Sequence, residues 1–287
     1  MSAAQERALD VGWGKLQALE LGPEQGPKLL GLHGWMDNAA SLLPLARACP
    51  GPHWTLLDYA GHGHSDHRPP AARYYFTDYL FDLDVALDAL AWDRCTLVSH
   101  SLGTALAACY ACANPERIER IVMLDGLGVV TEDTALAGPR LQRSLRSVRQ
   151  PRGHRSVFET PALAARARQL KNPMQDASAL LLAERALRPV PDGWRWRTDP
   201  RAMWDSPYWM SEAQALSILA DIQCPVLAVL TPALESYLGA RLAPRLEAIK
   251  DLTLLQLDGG HHLHMDQPQH VASALADFLN LKEDQHD

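Results

Sequence analysis

The chain has 287 residues, 47% of them hydrophobic and 21% charged, with a formal net charge of −7. That length suits one α/β domain carrying an inserted segment. The acidic balance argues against a nucleic-acid partner, and no apolar run approaches the roughly 20 residues that span a bilayer. The opening MSAAQERALD lacks the basic and apolar regions of a signal peptide. Five cysteines, an odd number without the paired CxxC sets of a metal site, read as free thiols in a reducing compartment. The expectation is a cytoplasmic protein with no cofactor, no nucleic-acid partner and no membrane partner; its oligomeric state is left open.

In chain order, Leu16–Leu21 and the Gly22-Pro23-Glu24 turn read as part of an antiparallel hairpin ahead of the main sheet. Lys28–Leu32 is a short apolar run entering His33-Gly34-Trp35, and Trp54–Leu57 enters Asp58-Tyr59-Ala60-Gly61-His62-Gly63. Phe76–Leu90 places Leu80, Leu83, Leu87 and Leu90 on one helical face. Cys95–Val98 runs into Ser99-His100-Ser101-Leu102-Gly103; Ala105–Ala113 is a compact small-residue helix stopped by Asn114-Pro115; Ile121–Leu124 ends at Asp125. Short runs without alternation fit strands buried on both faces, and their alternation with helices predicts a doubly wound, mostly parallel sheet.

From Thr131 to Ser217 the strand-like runs disappear. Residues 131–217 are expected to form a helical cap, inserted into a core of residues 1–130 and 218–287, and to be the mobile part of the molecule. Arg140, Arg143, Arg146, Arg149, Arg152 and Arg155 recur every third residue, as on a solvated helix face. Trp194, Trp196, Trp204 and Trp209 crowd one short stretch and read as residues packing the cap onto the core, with the lining of an apolar acyl site as the sharper alternative. Pro225–Leu230 and Thr253–Leu257 resume the strand pattern, Asp258-Gly259-Gly260-His261 follows, and a last amphipathic helix starts near Pro268.

The chemistry concentrates at the ends of these runs. A nucleophile on a strand-to-helix turn needs small residues two places before and two after it. Ser101 has Ser99 and Gly103 there; Ser99 would have Leu97, which is too large. Ser101 is therefore the nucleophile expected. The following helix aims its first N–H groups at the turn, so the N–H of Leu102 can receive an oxyanion, with the N–H of Trp35 as the second donor. A base is needed late in the chain, and Gly259-Gly260-His261 supplies it on a tightly folding loop; His262 comes second, while His100, beside the nucleophile on a tight turn, points elsewhere. Two carboxylates qualify as the acid that orients the base: Asp125, after the strand that follows the elbow helix, and Glu235, in the loop after Leu230. His62-Gly63-His64-Ser65-Asp66-His67 imitates a zinc-binding spacing, but its glycines also fit a turn at the face of the sheet. No metal is expected.

HGWMDNAASL, LDYAGHGHSD, VSHSLG, IVMLDG and GGHHLHMDQP, in this order, resemble the α/β-hydrolase fold superfamily from about residue 28 to about residue 281, apart from the insertion. HGWMDNAASL, the segment Asp58-Tyr59-Ala60-Gly61-His62-Gly63 and HHLHMDQPQHVA resemble more particularly the serine hydrolase-like proteins. The resemblance implies an α/β-hydrolase fold with an inserted cap, Ser101 as nucleophile, His261 as base, and Trp35 and Leu102 as oxyanion donors. In that group the loop after Leu230 often lacks a clear acid, which favours Asp125 over Glu235. The departure is Ser99, where the family usually has glycine. The function expected is a serine esterase acting on a small carboxylic ester, with thioesters and amides next, through a catalytic triad and an acyl-enzyme. Serine at the elbow argues against dehalogenase and epoxide hydrolase chemistry, which use aspartate there. A carbon–carbon bond hydrolase, a peracid-forming enzyme and a noncatalytic ligand-binding or partner-binding protein on the same scaffold remain alternatives.

Overall fold

The computed structural model describes residues 3–150 and 156–281. The chain begins with β1 (Gln5–Asp10), β2 (Lys15–Leu21), β3 (Lys28–Leu32), α1 (Leu43–Ala48), β4 (His53–Leu57), α2 (Phe76–Ala89), β5 (Cys95–His100), α3 (Leu102–Ala113) and β6 (Ile118–Leu124). These strands join two later ones, β9 (Val226–Leu230) and β10 (Leu252–Gln256), in one eight-stranded sheet of order β1-β2-β4-β3-β5-β6-β9-β10. β2 pairs antiparallel with β1 and with β4; from β4 onward every neighbouring pair is parallel. The hairpin foreseen at the N-terminus is β1–β2, closed by Val11 N–H donating to the Gly14 carbonyl at 3.0 Å. The Gly22-Pro23-Glu24 turn instead leads from β2 to β3, which are separated in the sheet by β4.

Alternation within the strands divides the core between the two faces. In β6, Ile121 and Met123 join one cluster with Tyr79, Leu83 and Leu87 of α2 and Leu106 of α3. Val122 and Leu124 join the other, with Leu43 and Leu45 of α1. Each fully buried Leu or Val contributes about 1.5–3 kcal/mol, so helices are required on both faces. That is why the central runs read as continuous apolar segments.

After β6 the chain leaves the sheet. α4 (Ala137–Arg149), α5 (Pro161–Gln169), α6 (Asp176–Ala186) and the antiparallel pair β7 (Leu187–Val190) and β8 (Gly193–Trp196) build the cap. The two four-residue strands correct the expectation that strands vanish here. Trp194 and Trp196 of β8 pack with Phe158 around a small cap core of Ala164, Ala165, Ala179, Ala183 and Leu187. Trp204 lies under Arg73 and Trp209 under Arg140, so the four tryptophans do not form one pocket. Arg140 and Arg143 both pair with Glu132, while Arg146 and Arg149 are exposed; Arg152 and Arg155 lie outside the described residues.

α7 (Glu212–Ala220), β9 (Val226–Leu230), α8 (Pro232–Leu238), α9 (Leu242–Ala248), β10 (Leu252–Gln256), α10 (Leu263–Asp266) and α11 (Pro268–Leu279) complete the chain. The boundary expected after Ser217 falls inside α7. That helix already belongs to the core: Ala215 packs with Ala105, Cys109 and Val129, and Leu219 with the α2–α3 side.

Buried ion pairs tie the cap down. Asp58, at the end of β4 and fully buried, accepts from the N–H groups of Ala39 at 2.7 Å and His64 at 2.8 Å, and from Arg185 of α6 at 2.8–2.9 Å. Arg185 also reaches Glu6 on β1 at 2.6 Å. Asn38 Nδ2 donates to the Leu182 carbonyl at 2.9 Å. α6 is therefore joined to the core by buried charges and a hydrogen bond. We expect Arg185→Met, which leaves the Asp58 carboxylate buried without its cation, to destabilise the fold by about 3–5 kcal/mol in denaturant melts; a loss below about 1 kcal/mol would show that the two backbone donors suffice.

Candidate active site

Ser101 is the residue between β5 and α3. Its backbone is held at φ 51° and ψ −113°, a conformation that L side chains rarely adopt. The sheet imposes it: Ser101 N–H donates to the Leu124 carbonyl at 3.1 Å, and Thr104 Oγ1 donates to the Ser101 carbonyl at 2.7 Å. Gly103 is required because a Cβ there would lie 2.3 Å from the Leu32 carbonyl oxygen. Gly126, which sequence reasoning did not single out, is constrained in the same way: its Cβ would lie 2.5 Å from Thr104 Oγ1 and 2.9 Å from the Ser101 carbonyl oxygen. Ser99 fits in place of glycine because its hydroxyl turns into the sheet and donates to the Val122 carbonyl at 2.7 Å.

The structure brings Ser101, His261 and Asp125 into one line. Ser101 Oγ is 3.0 Å from His261 Nε2, and His261 Nδ1 is 2.6 Å from Asp125 Oδ2. Asp125 follows β6 with φ 44°, and its other oxygen accepts from Thr231 Oγ1 at 2.7 Å and Thr231 N–H at 3.1 Å. Burial raises the pKa of this carboxyl, but the hydrogen bonds from His261 and Thr231 outweigh it and hold the group below its ordinary value. Thr231 was legible as a strand end but not as a partner of Asp125, because the two are 106 residues apart. Glu235, the alternative acid, lies on α8 and pairs with the side-chain amide of Gln256; its bond is not to His261. The His261 side chain is 43% exposed, so it can meet a ligand.

Trp35 lies in the turn from Gly34 to Asp37, and Leu102 opens α3. Among the described residues neither backbone N–H donates to a protein acceptor. His33 shapes this turn from beneath: its Nδ1–H donates to the Gly34 carbonyl at 2.7 Å and its Nε2 accepts from Tyr59 N–H at 3.1 Å. Burial, aided by His62, pushes His33 down to about 4, so the ring is neutral, as these two roles require.

The His62–His67 run does not gather around a point. His62 Nδ1 meets the Ala60 carbonyl at 3.1 Å, Asp66 accepts from Lys15 N–H at 2.8 Å, and His67 Nε2 donates to the Arg197 carbonyl at 2.8 Å. A different group clusters behind His261, namely Asp37, His100 and His262, all buried. Arg168 of α5 reaches Asp37 and also donates to the Met36 carbonyl at 2.8 Å. His262, the second choice of base, is inside this cluster rather than beside Ser101. A cavity of about 250 Å³ lies under α4, lined in part by Arg73, Tyr74, Leu145, Arg201 and Trp204; none of Ser101, Asp125 and His261 lines it.

A serine at a strained strand-to-helix turn, with a histidine and an aspartate from later strand ends, on a doubly wound sheet, agrees with comparison to known proteins. A family model for the alpha/beta hydrolase fold matches residues 27–213, and the chain belongs to that family. Within it, the chain is similar to a serine hydrolase-like protein of Danio rerio, 29% identical over 96% of this chain and 89% of that protein. It is also similar to serine hydrolase-like protein 2 of Homo sapiens, 28% identical over 96% and 93%. A solved structure of a hypothetical protein from Pseudomonas aeruginosa superposes with a TM-score of 0.91 at 35% identity, covering 96% of this chain and 99% of that one.

The elbow geometry makes a packing prediction. Gly103→Ala drives a methyl group into the Leu32 carbonyl and is expected to cost about 1–3 kcal/mol by thermal or denaturant melting. Ser99→Ala removes one hydrogen bond and should cost about 1 kcal/mol. The reverse ranking would mean that α3 does not press on β3 as described.

Proposed function

We propose that the protein is a serine hydrolase that cleaves a small carboxylic ester, with thioesters and amides as the next substrate classes, through an acyl-enzyme. The observation that carries this reading is the continuous relay from Ser101 Oγ to His261 to Asp125, at 3.0 and 2.6 Å. Ser101 attacks the carbonyl carbon while His261 Nε2 takes its proton. Asp125 holds the Nδ1–H and offsets the charge of the imidazolium. The N–H groups of Trp35 and Leu102 receive the oxyanion. Collapse of the tetrahedral intermediate expels the alcohol, which takes the proton back from His261, and water activated by the same ring then releases the acid. A carbon–carbon bond hydrolase would use the same three residues and differ in the bond placed at Ser101. The cytoplasm is the compartment proposed: the five cysteines are all free, and among the described residues no helix is long and apolar enough to cross a membrane.

Exposure to a fluorophosphonate, read by intact mass, tests the reading. Wild-type protein should gain one adduct and Ser101→Ala none. No adduct on either would bring forward the noncatalytic alternative. On any ester that is turned over, Asp125→Asn is expected to lower kcat on the order of a thousandfold or more, whereas Glu235→Gln stays within about threefold of wild type. The opposite order would transfer the acid to α8.

A further inference from the structure

The geometry points to a second site behind His261, in which Asp37, His100 and His262 bind one divalent cation of the zinc type. Asp37 Oδ2 is 3.3 Å from His100 Nδ1 and 3.3 Å from His262 Nε2, and the three donor atoms all lie within 4.8 Å of one another. Zinc bonds of about 2.0–2.1 Å in a tetrahedron separate neighbouring donors by about 3.3–3.4 Å. Two imidazoles and one carboxylate suit zinc or cobalt; calcium and magnesium prefer sets made of oxygen. Three protein donors leave the fourth position to water.

The hydrogen bonding of His100 supplies the second argument. Its Nε2 is 2.8 Å from the His261 carbonyl oxygen. A carbonyl only accepts, so that nitrogen carries the hydrogen. In a neutral ring the lone pair of Nδ1 then faces the carboxylate of Asp37, acceptor against acceptor, until a cation enters between them. A histidine whose other ring nitrogen donates to a backbone carbonyl is the usual arrangement around a bound metal. The remaining Asp37 oxygen meets Arg168 and, at 3.3 Å, His262 Nε2; a bound cation would take His262 Nε2 from its hydrogen bond to the carboxylate, while Arg168 keeps the carboxylate oriented. The backbone also leaves room: a Cβ at Gly34 would sit 2.9 Å from His100 Nδ1 and 3.0 Å from Asp37 Oδ2, so glycine keeps the space beside both donors clear. His264 lies outside this group of three donors, and its Nε2 is engaged with Ser41 Oγ at 2.9 Å.

The test uses the full-length protein, stripped with a chelator and then given cobalt(II) or zinc(II) chloride. We expect about one equivalent retained per chain after desalting, with the strong visible absorption of tetrahedral cobalt. Gly34→Ala and His262→Gln, each verified as folded by circular dichroism, should lose both the equivalent and the absorption; His67→Gln, a surface histidine, should keep both. Failure of wild type to retain metal, or retention unchanged in Gly34→Ala and His262→Gln, overturns the site.

Discussion

The backbone of Ser101 is the constraint on which the rest of the site depends. A serine at φ 51° costs on the order of 1–3 kcal/mol, and it persists only because its surroundings leave no alternative. The Leu124 carbonyl holds its N–H, Thr104 holds its carbonyl, and α3 presses so closely on β3 that Gly103 has no room for a methyl group. The strain projects a hydroxyl out of the sheet and turns the start of α3 toward it. Thr104, Gly126 and Ser99 are best understood as supports of that one turn.

Buried carboxylates organise the next layer. Asp37, just after β3, and Asp58, just after β4, are both removed from solvent, and each is met by an arginine from the cap, Arg168 and Arg185. Buried ion pairs add little net stability compared with apolar packing, but breaking one is expensive, and their directions are strict. The cap is thereby fitted to the strand ends that carry the site. The segment 131–217 is not uniform in how it meets the core. α5 and α6 share charges with the core, and α7 packs into it.

Much of the sheet was legible in the sequence because parallel strands buried on both faces leave unmistakable apolar runs. Lys28–Leu32, Cys95–Val98 and Ile121–Leu124 all became strands, and Phe76–Leu90 became a helix within one residue. The place of Ser101 on a strand-to-helix turn was legible because the turn's steric demand is local, readable two residues either side. Which carboxylate lies beside His261 was not local: Asp125 reaches it with Thr231 alongside, because β6 and β9 lie side by side. The strands β7 and β8 were missed because four residues, one of them Pro189, are too few to show a period. The cluster of Asp37, His100 and His262 was invisible for the same reason as Asp125: its members come from three distant strand ends and meet only when the sheet forms.

One consequence follows from the uneven burial of the cap. In α4 only Arg140 is buried, and Leu141 and Leu145 face outward, whereas α5 and α6 have apolar packing and ion pairs to the core beneath them. Local opening costs little where few apolar contacts must be broken and much where buried charges must separate. Local opening is therefore easier along α4, over the cavity by Arg73 and Trp204, than at Arg168 and Arg185, where the carboxylates of Asp37 and Asp58 would have to part from their cations.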